Sequence, residues 1–214
     1  MRYIFILLTG LFLVGFSGCS SKKEGEIYNK PAIFWYQGIM KYIKTGDLDK
    51  ADDYYTSLSS EHIESPLLKE SLLILAQAHS KEEEYILANF YLDEFIKRFG
   101  DSTSIKYAKF LKIKTNFYAF TYPKRDQVLL NDTIKKANDY IKEYPNSTYI
   151  PLVQTMLTKL SLAQKSMDLQ IISLYKRVGK PKAAKIYESR LKNAWYKNVK
   201  MIKPNTAWYR EIFE

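Results

Sequence analysis

Apolar residues recur along most of the chain at the spacing of one face of an α-helix. From Pro31 onward they are separated by three or four positions, and turn residues interrupt the pattern repeatedly. No segment shows the apolar and polar alternation of a half-buried strand convincingly. The pattern therefore predicts an all-α fold whose helices are joined by short turns.

Glycine and proline residues predict where several helices begin and end. Pro31 is expected in the first turn of the first helix, and Thr45-Gly46-Asp47 is expected to end that helix and cap the second. Gly100 is expected to end the fourth helix in a left-handed conformation. Gly179 is expected to separate a long helix, 147–178, from a last helix that reaches about residue 200.

The second helix of each predicted pair carries an alanine followed four residues later by a large side chain. These pairs are Ala51/Tyr55, Ala88/Leu92, Ala137/Ile141 and Ala183/Tyr187. The alanines are 37, 49 and 46 residues apart, whereas tetratricopeptide repeats have a period of about 34 residues. We therefore predict a degenerate tetratricopeptide-repeat solenoid of about four helix pairs over residues 31–200, followed by a tail, 201–214.

The first nineteen residues have the pattern of an export signal. Arg2 precedes an uncharged run that reaches Phe16, and Ser17-Gly18-Cys19 follows. The run is shorter than the roughly 20 residues of a membrane-spanning helix, so cleavage is favoured over an uncleaved transmembrane segment. We predict a signal peptide at 1–18 and a polar tether at 19–30.

The residues before Cys19 resemble the bacterial lipobox. The resemblance implies that lipid is attached to the Cys19 thiol and, after cleavage, to its new amine. Two or more acyl chains make a stable membrane anchor. Because Ser20 and not aspartate follows the cysteine, the resemblance implies the outer membrane, with the folded part on the periplasmic face.

Chemically reactive side chains are sparse. One cysteine and two histidines exclude an intrachain disulfide and a Cys/His metal set. His79, near the end of an apolar face, is interpreted as a packed or capping residue, and the acidic run Glu82-Glu83-Glu84 as a helix cap. The sequence therefore predicts no catalytic residues, no metal and no cofactor besides the lipid on Cys19.

The formal net charge of the chain is +10. Lysines are scattered along every predicted helix, often beside acids, and no basic tract exceeds two residues. This distribution favours a solvated outer face over a nucleic-acid site, and export argues against nucleic acid as well. We therefore expect no nucleic-acid partner.

Some aromatic residues are candidates for a partner surface. Phe34-Trp35-Tyr36 cannot all face inward on one helix, and Trp208 and Tyr209 lie in the tail. Outward aromatics favour either a partner surface or docking on a neighbouring repeat.

Several segments resemble the BamD family of outer-membrane assembly lipoproteins. Tyr144-Pro145-Asn146-Ser147-Thr148-Tyr149 resembles its turn at a repeat junction, and Arg125-Asp126 resembles a pair in the loop before it. The segments 158–160 and 175–179 also fit the family pattern, as does Gly-Asp-Leu at 46–48, where the second helix is expected to begin. The resemblance covers roughly residues 32–197.

Membership in this family implies a non-enzymatic scaffold for the machine that inserts β-barrels into the outer membrane. The C-terminal repeats would bind the barrel insertase, other subunits of the machinery would be partners, and the N-terminal repeats would offer a groove to unfolded barrel precursors. For this groove we select Trp35, Tyr36 and Tyr55. An alternative from the residues alone is a repeat module that serves peptidoglycan or polysaccharide export.

The turn at 144–149 and the pair Arg125-Asp126 each have two possible roles. Asn146 or Ser147 is expected to cap the next helix, so this turn, including Tyr149, is either structural or a partner contact. Arg125 and Asp126 form either a loop ion pair that fixes the repeat geometry or a partner contact.

Overall fold

The computed structural model describes residues 27–100, 102–120 and 126–200, and within these ranges the chain forms eight helices and no strand. The helices are α1 (Ala32–Thr45), α2 (Leu48–Glu61), α3 (Leu67–Lys81), α4 (Tyr85–Arg98), α5 (Ser102–Ala119), α6 (Gln127–Glu143), α7 (Ile150–Arg177) and α8 (Pro181–Asn193). The predicted all-α class is confirmed. The predicted signal peptide, Cys19, Arg125 and the tail, 201–214, lie outside the described residues.

The helices pack as successive pairs, α1 with α2, α3 with α4, α5 with α6 and α7 with α8. Each pair also packs on the next one through α2 and α3, α4 and α5, and α6 and α7. In addition α1 contacts α3, and α5 contacts α7. The first helices of the pairs therefore lie side by side and form one surface of the stack, which we call the first-helix face.

Three of the turns within pairs share one backbone conformation. In each turn one residue has a positive φ, and the backbone N–H of the next residue donates to the carbonyl oxygen five residues earlier, over 2.8–3.0 Å. The positive-φ residues are Gly46 (78°), Glu83 (64°) and Gly179 (71°). This is a left-handed helix ending, which glycine adopts without steric cost and glutamate does not.

Helix starts follow from local capping. Pro31 is the residue just before α1, and not in its first turn as the sequence predicts. The Asp47 carboxylate accepts the backbone N–H of Lys50 at 3.3 Å at the start of α2, so the predicted cap is confirmed. The prediction for Gly100 is wrong: α4 ends at Arg98, the next residue, Phe99, has a φ of −127°, and Gly100 is not left-handed. Here the chain leaves the helix without a left-handed residue.

One apolar core extends from the first pair to the start of α7, and a smaller cluster of Leu130, Leu160 and Met167 continues it. Helical periodicity gives α2 and α3 one apolar face each, and the residues of these faces are buried: Leu48, Ala51, Tyr55, Leu58, Leu68, Leu72, Leu75 and Ala76. In α8 the buried alanine is Ala184 and not the predicted Ala183. Ala184 follows Lys180 by four residues, as Ala51 follows Asp47, so it occupies the equivalent position of the repeat.

The C-terminal part differs from the sequence prediction in two ways. Helix α8 ends at Asn193, before the predicted end, and the chain then turns so that the Tyr196 ring is buried. Leu152 and Leu169, which the periodicity places on the inner face of α7, are exposed. None of the helices in the described part of the chain is long and apolar enough to cross a membrane.

Candidate partner-binding surfaces

The N-terminal aromatic residues contribute mainly to the core. Trp35 is only 2% exposed, and its indole N–H donates to Glu61 Oε2 at 2.9 Å at the end of α2. Tyr55 is 7% exposed and packs edge-on against Tyr91. The expectation that Trp35 and Tyr55 line an open groove is therefore corrected, because α1 is covered by α2 on one side and by α3 on another.

Tyr36 is the member of this predicted set that reaches the surface. Its side chain is half-buried, and its hydroxyl lies 3.5 Å from Glu70 Oε2 on α3, to which it donates. Burial and the nearby Glu70 carboxylate raise the pKa of the Tyr36 hydroxyl. Near it on α1, the side chains of Ile33 and Met40 are exposed.

The junction between α6 and α7 is held by its own side chains. Ser147 is buried, its hydroxyl is 2.8 Å from the Tyr140 hydroxyl, and its oxygen accepts the backbone N–H of Tyr149 at 3.3 Å. The Tyr149 ring stacks on Phe110 of α5, with 4.3 Å between centroids. Ser147 and Tyr149 thus have structural contacts, whereas Asn146 is exposed.

A salt bridge ties the same junction to α5. Lys109 Nζ lies 2.7 and 2.8 Å from the two carboxylate oxygens of Glu143, and it also lies over the Tyr144 ring. Burial lowers the pKa of Lys109, but the hydrogen bonds and charges of Glu143 and Tyr144 together raise it above the ordinary value, and the hydrogen bond from Lys109 lowers the pKa of Glu143. The junction is therefore positioned by contacts within the repeats.

Asp126 begins α6. Its carboxylate accepts the backbone N–H of Leu129 at 2.8 Å, which satisfies one of the free donors at the start of the helix. This contact gives Asp126 a capping role that sequence reasoning did not assign to it. Its predicted companion Arg125 lies outside the described residues.

A buried charged cluster joins the first two pairs. His79 is 1% exposed; its Nδ1 lies 2.5 Å from Glu84 Oε2, and its Nε2 lies 2.9 Å from Asp52 Oδ1. The hydroxyl of Tyr91 also donates to Asp52, at 2.6 Å. When both carboxylates are ionised, both ring nitrogens must donate, so this arrangement favours the charged imidazolium form of His79. Burial lowers the pKa of His79, but the hydrogen bonds to Asp52 and Glu84 raise it above the ordinary value.

The interpretation of His79 as a packed or capping residue is thus correct in outline. Asp52 comes from α2 and Glu84 from the α3–α4 turn, so the imidazolium links two repeats. The partners lie 27 and 5 residues away in the sequence. Glu84 was identifiable as part of an acidic cap, but nothing in the sequence pattern pointed to Asp52.

A groove on the first-helix face separates α3 from α5. It has a volume of about 270 Å³, and Leu92 of α4 contributes to its lining. Polar and aromatic side chains form its walls: Gln77, Ser80, Lys81, Lys114, Thr115 and Tyr118. Tyr118 is 51% exposed. Sequence reasoning missed this groove because its walls come from two helices that are not paired with each other.

The last pair surrounds a second buried polar cluster. Lys165 is 7% exposed, and its ammonium donates to the carbonyl oxygens of Tyr196, Lys197 and Val199 at 2.7–3.0 Å. Lys165 therefore fixes the segment that follows α8. Sequence reasoning did not single out Lys165, since a lysine on a helix is usually solvated.

Asp168 belongs to the same cluster. It is 2% exposed, and its Oδ2 lies 3.3 Å from Arg190 Nε, with no aligned hydrogen bond to that oxygen from the described residues. Burial raises the pKa of Asp168, and the Arg190 charge offsets only part of that effect. The ion pair connects α7 to α8.

The positive charge of the chain is concentrated near its C-terminus, contrary to the even distribution read from the sequence. Residues 174–200 contain nine lysines and arginines and one acid, Glu188, a net charge of +8. Glu188 pairs with Lys176 at 2.6 Å. The exposed remainder forms what we call the basic face: Arg177, Lys180, Lys182, Lys185, Lys192, Lys197 and Lys200.

No set of three or more His, Cys, Asp or Glu side chains in the described ranges is arranged to hold a metal ion. The architecture, stacked helix pairs with an exposed face and a groove, is that of helical-repeat scaffold proteins. The chain belongs to the YfiO family of outer membrane lipoproteins, whose family model matches residues 29–200.

Two relatives have sequences similar to that of this chain. The chain is 43% identical over 211 residues to the outer membrane protein assembly factor BamD of Helicobacter pylori, covering 98% of this chain and 96% of that protein. It is 26% identical over 136 residues to the Caulobacter vibrioides protein of the same name, covering 62% of this chain and 45% of that protein. The predicted resemblance to the BamD family is confirmed.

Proposed function

We propose that this chain is a lipid-anchored, periplasmic scaffold of the outer-membrane β-barrel assembly machinery. In this role it binds the barrel insertase and unfolded barrel precursors. The observation that carries the proposal is the 43% identity, over nearly the full length of both chains, to a relative named as an assembly factor. The helical-repeat fold supports it, because such stacks hold partners on extended surfaces.

The groove between α3 and α5 supports precursor binding. Gln77 and Ser80 offer hydrogen bonds to an extended backbone, and Tyr118 offers an aromatic contact for an apolar side chain. Lys81 and Lys114 add positive charge at the same walls. A few such anchors bind an extended peptide weakly enough for its release.

Two exposed side chains near the α6–α7 junction, one apolar and one polar, support the insertase contact. Leu152 is 55% exposed at the start of α7, and Asn146 is exposed in the preceding turn. The turn itself is held by Ser147 and Tyr149, so these two exposed side chains are presented on a fixed backbone. Preorganisation of this kind lowers the entropic cost of binding.

The beginning of the described chain supports anchoring through Cys19. The backbone N–H of Asn29 donates to Glu61 Oε1 at 3.3 Å, and His62 Nε2 lies 2.6 Å from the carbonyl oxygen of Lys30. The point where the tether joins the stack is therefore attached to the end of α2. Ten residues from Cys19 to Asn29 reach at most about 35 Å, which keeps α1 close to the membrane.

Affinity purification of the lipidated chain from membranes tests the proposal. We expect the barrel insertase in the eluate, and we expect depletion of the chain to lower outer-membrane barrel protein levels. Leu152→Glu should reduce insertase recovery, whereas Gln154→Glu, at a neighbouring exposed position on α7, should not. Normal barrel levels on depletion, with no insertase recovered, would refute the proposal and favour a role in peptidoglycan or polysaccharide export.

Site-specific photocrosslinking tests the precursor groove. A crosslinker at Gln77 should capture unfolded barrel precursors, whereas one at Lys97, exposed on α4 away from the groove walls, should not. Equal capture at both positions would exclude the groove as the binding site. Labelling with a fatty-acid analogue in wild type and Cys19→Ala tests the anchor, and equal labelling would exclude it.

A further inference from the structure

The basic face has a charge that the rest of the chain does not share. Residues 27–173 contain 19 lysines and arginines and 18 acids, so they are almost neutral. On α8 the side chains of Lys182, Lys185, Ile186 and Lys192 are exposed, and the one acid of this helix, Glu188, is half-buried and already paired with Lys176. These lysines make no ion pair with any other described residue, so their charge is available to a partner.

The composition of the face favours lipid headgroups over a protein partner. Six of its seven cations are lysines, a residue that is depleted in protein–protein interfaces, where arginine is enriched. Lysine places a point charge on a flexible stem and does not need a partner of fixed geometry. It therefore suits a fluid array of phosphate headgroups.

Exposed apolar residues accompany these cations. Trp195 is 62% exposed and Ile186 is 66% exposed. The buried Lys165 holds the backbone of Tyr196 and Lys197, next to Trp195, so the exposed position of the indole is part of the fold. Tryptophan beside lysines is typical of the level at which a membrane surface meets water.

We infer that the basic face docks on the surface of an anionic phospholipid membrane. Each lysine near such a surface increases partitioning about fivefold, and Trp195 inserts at the headgroup level. A lipid on Cys19 would anchor the first helix pair, and this contact would hold the last pair, so the stack would be oriented along the membrane. The inference does not depend on which proteins the scaffold binds.

Vesicle flotation tests this inference with the chain from Ser20 onward, which lacks only the signal segment and the lipidated cysteine. We expect binding to phosphatidylcholine vesicles that contain about one third phosphatidylglycerol, weak binding to phosphatidylcholine alone, and a loss of binding in high salt. Fluorescence emission should shift to shorter wavelength on binding, and Trp195→Phe should remove most of that shift.

A matched pair of triple variants distinguishes the contribution of the basic face to vesicle binding from the contribution of net charge. Lys182→Gln/Lys185→Gln/Lys192→Gln should lower partitioning on the order of 100-fold. The control has the same change in charge on exposed lysines of α1 and α6, and it should change partitioning less than about threefold. Its substitutions are Lys41→Gln, Lys44→Gln and Lys142→Gln. Circular dichroism and unfolding midpoints should match wild type for both.

Equal binding to the two kinds of vesicle, or equal losses in the two triple variants, would overturn the inference. Insertase recovery from membranes is measured in parallel with the same variants. If the α8 variant keeps its vesicle binding but loses a co-purifying acidic protein, the face binds protein and the inference is wrong. If vesicle binding behaves as expected without any insertase in the eluate, only the proposed assembly function fails.

Discussion

Replacing Glu83 by glycine should stabilise the fold. Glu83 has a φ of 64° at the turn position that Gly46 and Gly179 occupy in two other pairs. A side chain in this left-handed conformation costs about 1–2 kcal/mol. Glycine removes that cost but also adds about 0.4–1 kcal/mol of unfolded-chain entropy. The net expectation for Glu83→Gly is an increase of about 0.5–1 kcal/mol in the free energy of unfolding.

The opposite substitution at Gly46 should cost a similar amount. A Cβ at Gly46 meets no atom within 4 Å, so the effect of Gly46→Ala comes from the backbone conformation alone. The same two contributions then have reversed signs, and we expect a loss of about 0.5–1 kcal/mol. The two variants therefore form a matched test of one backbone position in two repeats.

Urea unfolding followed by circular dichroism measures both changes. With a slope near 2 kcal/mol per molar, the midpoint should rise by about 0.25–0.5 M for Glu83→Gly and fall by the same amount for Gly46→Ala. Glu83→Gln controls for the lost charge and should leave the midpoint nearly unchanged. Glu82→Gly controls for added flexibility at a neighbour with a φ of −85° and should lower the midpoint. If Glu83→Gly lowers it as much as Glu82→Gly does, the reasoning about backbone strain is refuted.

Three further predictions follow from the buried contacts. The pKa of His79 is raised in the folded state. The contribution of its charged form to stability is therefore complete below the unfolded pKa of about 6.5 and is lost as the pH rises through the folded pKa. His79→Gln should remove this part of the pH dependence of the urea midpoint, and an unchanged pH profile would contradict the prediction. Ala184→Leu should destabilise the fold by about 1–3 kcal/mol through overpacking, whereas Ala183→Leu, at a half-buried position, should cost much less; the reverse order of thermal midpoints would contradict the repeat register. Lys165→Met should speed tryptic cleavage after Lys197, because three carbonyl oxygens lose their donor, and cleavage at the wild-type rate would show that the segment is held by other contacts.

The sequence alone predicts the helices of the first two pairs well. Helical periodicity identifies one apolar face on α2 and on α3, and these faces are buried as predicted. Asp47 could be assigned as a helix cap because capping depends on residues within one turn. These features are local, so the sequence contains all the information that they require.

The candidate binding residues are less predictable. Periodicity indicates that α1 has an apolar face, but α1 is covered by both α2 and α3, so Trp35 is buried while Tyr36 reaches the surface. The walls of the groove come from α3 and α5, which are not consecutive helices. Ser80 on α3 and Lys114 on α5 are 34 residues apart in the sequence. The concentration of positive charge in residues 174–200 could have been counted from the sequence, but its exposure could not.

The all-α class, the family resemblance, and the turns at Gly46 and Gly179 can be read from the sequence, because they depend on periodicity and local backbone preference. Only the folded chain shows that Ala184 and not Ala183 is buried, and that Glu83 adopts a left-handed conformation. Packing between neighbouring helix pairs selects one rotation of each helix and one turn geometry. Adjacent residues with equal local preferences, such as Ala183 and Ala184, therefore differ in burial.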